Sequence, residues 1–145
     1  MNFKQCMIDD LKQYRQRKCG LVNMREKIQT LEGEIRAMKG ADTEKISVRG
    51  SAARVDDKLI DLIVERDQLK RNYIITDRNV KQVDRAMETL DEKERKTLEL
   101  FYIDRPHGHV NLVCELLGCE YAEAYRNKDD ALKKLTVACY GIAEI

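Results

Sequence analysis

Apolar residues recur along the middle of the chain with the 3.5-residue spacing of a coiled coil. Between Val55 and Leu90 the spacing alternates between four and three residues, and no glycine or proline interrupts the run. The positions of this seam are Val55, Leu59, Leu62, Arg66, Leu69, Tyr73, Thr76, Val80, Val83, Met87 and Leu90. A repeat held for about five heptads predicts one helix roughly 54 Å long, whose apolar side must be covered.

A second run with the same spacing predicts an earlier helix over residues 4–39. Its clearest positions are Leu21, Met24, Ile28, Leu31, Ile35 and Met38. Residues 40–54, rich in Gly, Ser, Thr and Ala, predict a linker, so the two helices are expected to pair as an antiparallel hairpin. Seam positions that the hairpin leaves uncovered would join two copies of the chain, or more copies in a higher homo-oligomer. We predict dimerisation through Leu59, Leu62, Leu69, Tyr73, Val80 and Val83.

The last third of the chain changes to shorter helices separated by turns. Asp91, followed three residues later by Glu94, is the pattern of a capping box, and it predicts a helix over residues 92–103. Residues 104–108 contain the single proline and a glycine, which end that helix.

Two further helices are predicted, over residues 110–117 and 120–138, with Gly118 between them. Cys114 supplies a small side chain where the two helices would cross, and Gly118 accepts a left-handed turn four positions later. This layout is typical of a helix-turn-helix, whose second helix presents one face to the DNA major groove.

The predicted fold is therefore all-α, in two parts. Residues 1–90 form a long antiparallel helical hairpin that serves as a coiled-coil dimerisation region. Residues 91–145 form the helix-turn-helix.

The helix-turn-helix segment resembles region four of bacterial sigma factors. The matching positions are Leu90, Glu94, Arg95, Leu98, Leu100 and Tyr102 in the opening helix, Leu112 to Gly118 in the first motif helix, and Ala131 to Leu135 at the close of the second. This resemblance implies a module that reads a promoter element and contacts RNA polymerase. The preceding coiled coil is similar in size and layout to small phage and prophage regulators of the ArpU- and RinA-like type. The resemblance thus implies a DNA-binding regulator of phage or prophage late genes.

The outward face of the last helix is the predicted site for double-stranded DNA. Its candidate contact residues are Glu120, Tyr121, Glu123, Tyr125, Arg126, Lys128, Lys133 and Lys134. The cations would contact phosphates and base edges, whereas the two glutamates repel phosphates. A protein-binding adaptor that acts on RNA polymerase or another partner without DNA contact therefore stays an alternative. A second alternative is a DNA-packaging protein of small-terminase type, which a ring oligomer would indicate.

Composition and charge indicate the type of helix and the cell compartment. Charged residues make up 37% of the chain and aromatic residues 6%, which is typical of long solvated helices. The net charge of +1 divides into +4 over residues 1–40 and −3 over residues 91–145. The five scattered cysteines are expected to be free thiols, and no signal-peptide or membrane-spanning pattern occurs. We therefore expect the protein in the bacterial cytoplasm.

No catalytic or metal-binding pattern emerges from the sequence. His107, His109, Cys114 and Cys119 match no common zinc spacing. Nucleotide-binding glycine loops and catalytic Ser-His-Asp patterns are missing, and the carboxylates are spread as helix surface. We predict no enzymatic activity, no metal and no cofactor.

Overall fold

The computed structural model describes residues 1–42 and 49–143, and this part of the chain is helical, without strands. The α-helices are α1 (Phe3–Asp42), α2 (Arg49–Glu88), α3 (Glu92–Leu98), α4 (His109–Leu117) and α5 (Tyr121–Tyr140), with a π-helical turn (Glu99–Ile103) after α3. The predicted all-α fold, a long helical pair followed by the helices of a helix-turn-helix, is confirmed. Among the described residues, no helix has the length and apolar character needed to cross a membrane.

The predicted linker over residues 40–54 is wrong at both ends. Helix α1 continues through Gly40 to Asp42, and α2 already begins at Arg49; residues 43–48 lie outside the described part of the chain. Glycine in a helix costs only about 1 kcal/mol relative to alanine. Propagation of a helix that is already formed adds one hydrogen bond per residue, and this offsets such a cost.

The chain divides into two compact units. One comprises Met1–Arg17 together with Arg78–Ile145, and the other comprises Lys18–Asp77. Each unit therefore contains parts of both long helices.

In the unit Lys18–Asp77, α1 and α2 run antiparallel along their predicted seams. Nη2 of Arg25 donates a hydrogen bond of 2.8 Å to the Tyr73 hydroxyl, and Nζ of Lys70 lies 3.0 Å from Oε1 of Glu32. The partner in α2 moves towards the N-terminus as the partner in α1 moves towards the C-terminus, which defines the antiparallel direction. Every seam position of α2 within this unit is half-buried, as the heptad pattern requires.

In the unit formed by Met1–Arg17 and Arg78–Ile145, the ends of α1 and α2 pack with α3 and α5. The core consists of ten buried residues: Met7, Leu11, Val83, Ala86, Met87, Leu90, Leu98, Ala131, Leu132 and Leu135. At its edge the Tyr14 hydroxyl donates a hydrogen bond to Asp84. This core fixes the second half of α5 against the long helices.

Helix α3 starts as predicted and then departs from α-helical geometry. The Asp91 side chain accepts from the Glu94 N–H at 2.8 Å, and the Glu94 carboxylate accepts from the Asp91 N–H at 3.2 Å, which completes the capping box. The predicted α-helix over residues 92–103 is wrong in its last turn. There the Asp104 N–H donates to the Glu99 carbonyl at 2.7 Å, a spacing of five residues.

The π-helical turn distributes buried side chains between two cores. Leu98 belongs to the core described above, whereas Leu100 and Phe101 belong to a second cluster that includes Val113 and Ala124. The α-helical turn before it and the π-helical turn thus contribute side chains to different clusters.

Candidate nucleic-acid interface

The turn between α4 and α5 has the conformation that the sequence predicts. Gly118 lies in the left-handed region at φ 64° and ψ 39°, and its N–H donates to the Cys114 carbonyl. The Cys119 N–H donates to the same carbonyl at 3.1 Å. A helix commonly ends on such a residue, and glycine adopts the conformation without the steric penalty of a Cβ. Glu120 then takes the N-cap position of α5, without a side-chain capping hydrogen bond.

Helices α4 and α5 meet over small and branched side chains. Val113 and Ala124 are wholly buried in the second cluster, and Cys114 and Leu117 pack against it half-buried. The close contact therefore involves Ala124 of α5 as well as the predicted Cys114. A side chain as small as alanine allows the two helices to approach closely, which sets the angle at which α5 is presented.

Replacing Gly118 by alanine is expected to destabilise the protein by about 1–2 kcal/mol, because an L-residue resists the left-handed conformation. No atom lies within 4 Å of a Cβ added at Gly118, so the loss would report backbone conformation rather than a clash. Gly20→Ala is the matched control. Its added Cβ lies 4.0 Å from the nearest atom, of Met24, within α1, where alanine should stabilise the helix by about 0.5–1 kcal/mol. Urea unfolding of both variants measures the difference, and equal effects would contradict the role given to the turn.

Most of the predicted DNA-contacting side chains lie on the solvent side of α5 or at its N-cap. The exposed residues are Glu120, Tyr121, Glu123, Tyr125, Arg126, Lys133 and Lys134. The buried residues of the same helix are Ala124, Ala131, Leu132, Leu135 and Thr136. The prediction of which face of α5 points outward thus agrees with the structure for seven of the eight residues.

Lys128 is the exception, because its side chain is packed rather than extended into solvent. Only 16% of the side chain is exposed, and Nζ lies 5.5 Å from the ring centroids of both Phe101 and Tyr125. Nζ also lies 2.9 Å from Oδ1 of Asp129. Burial lowers the pKa of Lys128, but the hydrogen bond to Asp129 and the Tyr102 hydroxyl outweigh it and raise the pKa. The sequence gives no sign of this packing, because Phe101 is 27 positions away.

The two tyrosines of α5 have different surroundings. The Tyr125 ring packs edge-on against Phe101, with centroids 5.6 Å apart, while 46% of the residue stays exposed. The Tyr121 hydroxyl donates a hydrogen bond to Oδ1 of Asn111 in α4. Asn111 was not among the predicted site residues, and it lies on the exposed side of α4 next to Tyr121.

In the unit formed by Met1–Arg17 and Arg78–Ile145, several basic side chains are already paired with carboxylates. Nζ of Lys134 lies 2.8 Å from Oε2 of Glu94, and this hydrogen bond raises the pKa of Lys134. Nη2 of Arg15 lies 2.7 Å from Oδ1 of Asp104. The sequence places Glu94 in the capping box and in the sigma-like opening helix, but it gives no sign of the contact with Lys134. Exposed ion pairs of this kind contribute little to stability.

The six predicted dimerisation residues are covered to different degrees within one chain. Val80 and Val83 are only 5% and 3% exposed, and Val83 belongs to the core that contains Met7 and Leu11. Both side chains are already buried within a single chain, so little of either is accessible to a second copy. The half-buried positions are Leu59, Leu62, Leu69 and Tyr73, and dimerisation through them stays a prediction.

The Cys and His side chains near the turn do not form a metal site with other side chains of the described residues. Across residues 1–42 and 49–143, no three His, Cys, Asp or Glu side chains come together in a way that could hold a metal ion. Burial, followed by the neighbouring Cys114, raises the pKa of the Cys119 thiol. His109 instead packs edge-on against Phe101, with ring centroids 5.2 Å apart.

Comparison with known proteins gives a match to a family model. Neither curated proteins nor solved structures match the chain. Residues 38–136, which include α2, α3, α4 and most of α5, match the family described as a protein of unknown function (DUF1492). Because the match covers more than half of the chain, the protein belongs to the DUF1492 family.

Proposed function

We propose that α4 and α5 act as a DNA-binding helix-turn-helix, with the exposed face of α5 in the major groove. In this proposal the protein regulates transcription, in keeping with its resemblance to sigma region four and to regulators of phage or prophage genes. The observation that carries the proposal is the left-handed Gly118 turn, which joins two packed helices and leaves the first half of α5 open to solvent.

Arg126 is the side chain of α5 best placed for a base or phosphate contact. It is exposed on the same helix as Tyr121 and Glu123, both of which are also exposed. Arginine binds guanine O6 and N7 bidentately, and glutamate accepts from cytosine N4. Lys133 and Lys134 would contact phosphates, the latter after leaving Glu94. Lys128, held by the two rings, would position α5 rather than contact DNA.

The first test is fluorescence-anisotropy binding to a pool of promoter-like duplexes at low and high salt. The double variant Arg126→Ala/Lys133→Ala is expected to bind at least about tenfold more weakly, with a shallower dependence on salt. The matched control, Arg36→Ala/Lys39→Ala, removes the same charge from exposed positions of α1 and should stay within about twofold of the unmodified chain. If the unmodified chain fails to bind any duplex even at low salt, the DNA proposal is wrong.

A protein-binding adaptor is the second candidate, and the charges around α5 favour it. Glu120 and Glu123 are exposed at the beginning of the helix, and Lys128 and Lys134 are both paired with carboxylates. Such a surface suits a basic protein partner such as a site on RNA polymerase. In the anisotropy experiment, this candidate predicts no DNA binding at any salt concentration. Binding to polymerase that Glu120→Lys/Glu123→Lys abolishes would then support it.

A further inference from the structure

Helix α2 carries a second apolar stripe on the side away from its seam. Ile60, Val64, Ile74 and Ile75 are between 56% and 59% exposed, although all four are branched aliphatic residues. Together with Asp67 and Arg71, they form what we name the outer stripe. Ile60, Val64, Asp67, Arg71 and Ile74 follow one another at intervals of four and three residues, the spacing of a coiled-coil contact surface.

The centre of the outer stripe lies roughly 150° around the helix from the centre of the seam, at about 3.6 residues per turn. The seam is already used within one chain, where Tyr73 bonds Arg25 of α1. A single exposed aliphatic residue is ordinary, whereas four of them on one side of a helix favour an interaction surface. Their spacing suits contact with another helix.

The order of residues in the outer stripe is self-complementary about Leu69. In an antiparallel pair of α2 helices with Val64 of one copy opposite Ile74 of the other, Asp67 lies opposite Arg71. A two-fold axis at Leu69 generates each of these contacts twice. Ile60 and Ile75 extend the apolar area at its two ends. In an antiparallel coiled coil, a core position that follows an interval of three residues faces one that follows an interval of four. This register pairs the positions of the outer stripe in that way.

We infer that the outer stripe is a homodimer interface in which two α2 helices pair antiparallel, with reciprocal Asp67–Arg71 ion pairs between the copies. The second copy of this chain is the occupant because the charges and the aliphatic residues of the outer stripe complement themselves under this two-fold symmetry. The interface is distinct from the seam predicted from the sequence, and the inference stands whether or not α5 binds DNA.

The present partners of the two charged residues leave room for the contact. Oδ1 of Asp67 accepts from Nε of Arg66 at 3.1 Å, and Nη2 of Arg71 donates to Oε1 of Gln68 at 2.9 Å. A carboxylate has a second oxygen and a guanidinium has five N–H donors, so both keep capacity for a bond across the interface. The flanking aliphatic pairs would exclude water from the ion pairs and strengthen them. Polar pairs within such a stripe also select one register and direction.

Sedimentation equilibrium of the full chain tests the inference through charge reversal. The unmodified chain is expected to form a dimer whose population rises with concentration. Asp67→Arg and Arg71→Asp, each alone, bring like charges together twice, and the dissociation constant should rise at least about tenfold. An equimolar mixture of the two variants should restore the dimer, because each chain then supplies the charge that the other lacks.

The mixture excludes an effect confined to one helix. Residues 67 and 71 are also four apart in the same helix, so a double reversal in one chain could restore helix stability alone. In the mixture, each helix still carries two like charges four residues apart. A recovered dimer must therefore come from contacts between the copies. Glu26→Arg, an equal charge reversal at an exposed position of α1, is the control and should leave the dimer unchanged.

Four outcomes would overturn the inference. They are a monomer at every concentration, a dimer that neither reversal weakens, a mixture of the two variants that stays monomeric, and a closed ring of more than two chains. Circular dichroism of each variant should retain the helical signal of the unmodified chain, since the outer stripe makes no contribution to the buried cores.

Discussion

Replacing Leu132 by alanine is expected to lower the free energy of unfolding by about 2–5 kcal/mol. Leu132 is wholly buried, in a core that also contains Met7, Leu11, Val83 and Leu98. These residues come from α1, α2 and α3, so the leucine lies where four helices meet. Removing three carbon atoms there loses their transfer free energy and leaves a cavity that rigid helices cannot fill by a small movement.

Val137→Ala is the matched control for that loss. Val137 lies five residues further along α5 and is 46% exposed, so its truncation should change stability by less than about 0.5 kcal/mol. Urea unfolding followed by circular dichroism compares the two variants. A Leu132→Ala effect no larger than that of the control would mean that α5 is not anchored through this core.

Replacing Phe101 by alanine is expected to destabilise the protein by about 3–5 kcal/mol. Its ring is 6% exposed and lies 5.2 Å and 5.6 Å, between centroids, from the rings of His109 and Tyr125. The same ring lies 5.5 Å from the ammonium of Lys128. The substitution removes the largest buried side chain of the second cluster and, with it, the ring contacts to His109 in α4 and to Tyr125 in α5.

Phe101→Leu separates apolar volume from aromatic character. Leucine keeps most of the buried surface, so this variant should lose clearly less stability than the alanine variant, but the Lys128 contact disappears in both. Amide hydrogen exchange should show faster exchange in α4 for Phe101→Ala, while amides of the unit Lys18–Asp77 keep their protection. An unchanged exchange pattern in α4 would contradict the role assigned to Phe101.

These two substitutions bear differently on the proposed DNA contact. Leu132 and Leu135 anchor the second half of α5, whereas Phe101 and Ala124 position its first half, which carries Arg126. A DNA-binding α5 should therefore lose affinity in Phe101→Leu through a misplaced Arg126, even where the fold is retained. If α5 does not contact DNA, Phe101→Leu should leave the DNA affinity unchanged. Measuring this variant beside the unmodified chain therefore adds to the anisotropy experiment.

The sequence by itself determined which segments are helical, how the two long helices pair and the turn before α5, but not every helix boundary. The heptad spacing from Val55 to Leu90 requires one covered side, and every one of its positions is half-buried or buried. The capping box at Asp91 and the left-handed Gly118 were equally readable, because both depend on residues close together in the chain. Local preferences and periodicity suffice for such features.

Tertiary structure alone decided which side chains are available for function. The ring of Phe101 covers Lys128, and Glu94 holds Lys134, across separations of 27 and 40 residues. The burial of Val83 against Met7 and Leu11 likewise depends on chain segments far apart in sequence. The spacing of residues predicts which face of a helix is apolar. It does not specify which distant side chain meets that face, because that depends on how the packed helices share their cores.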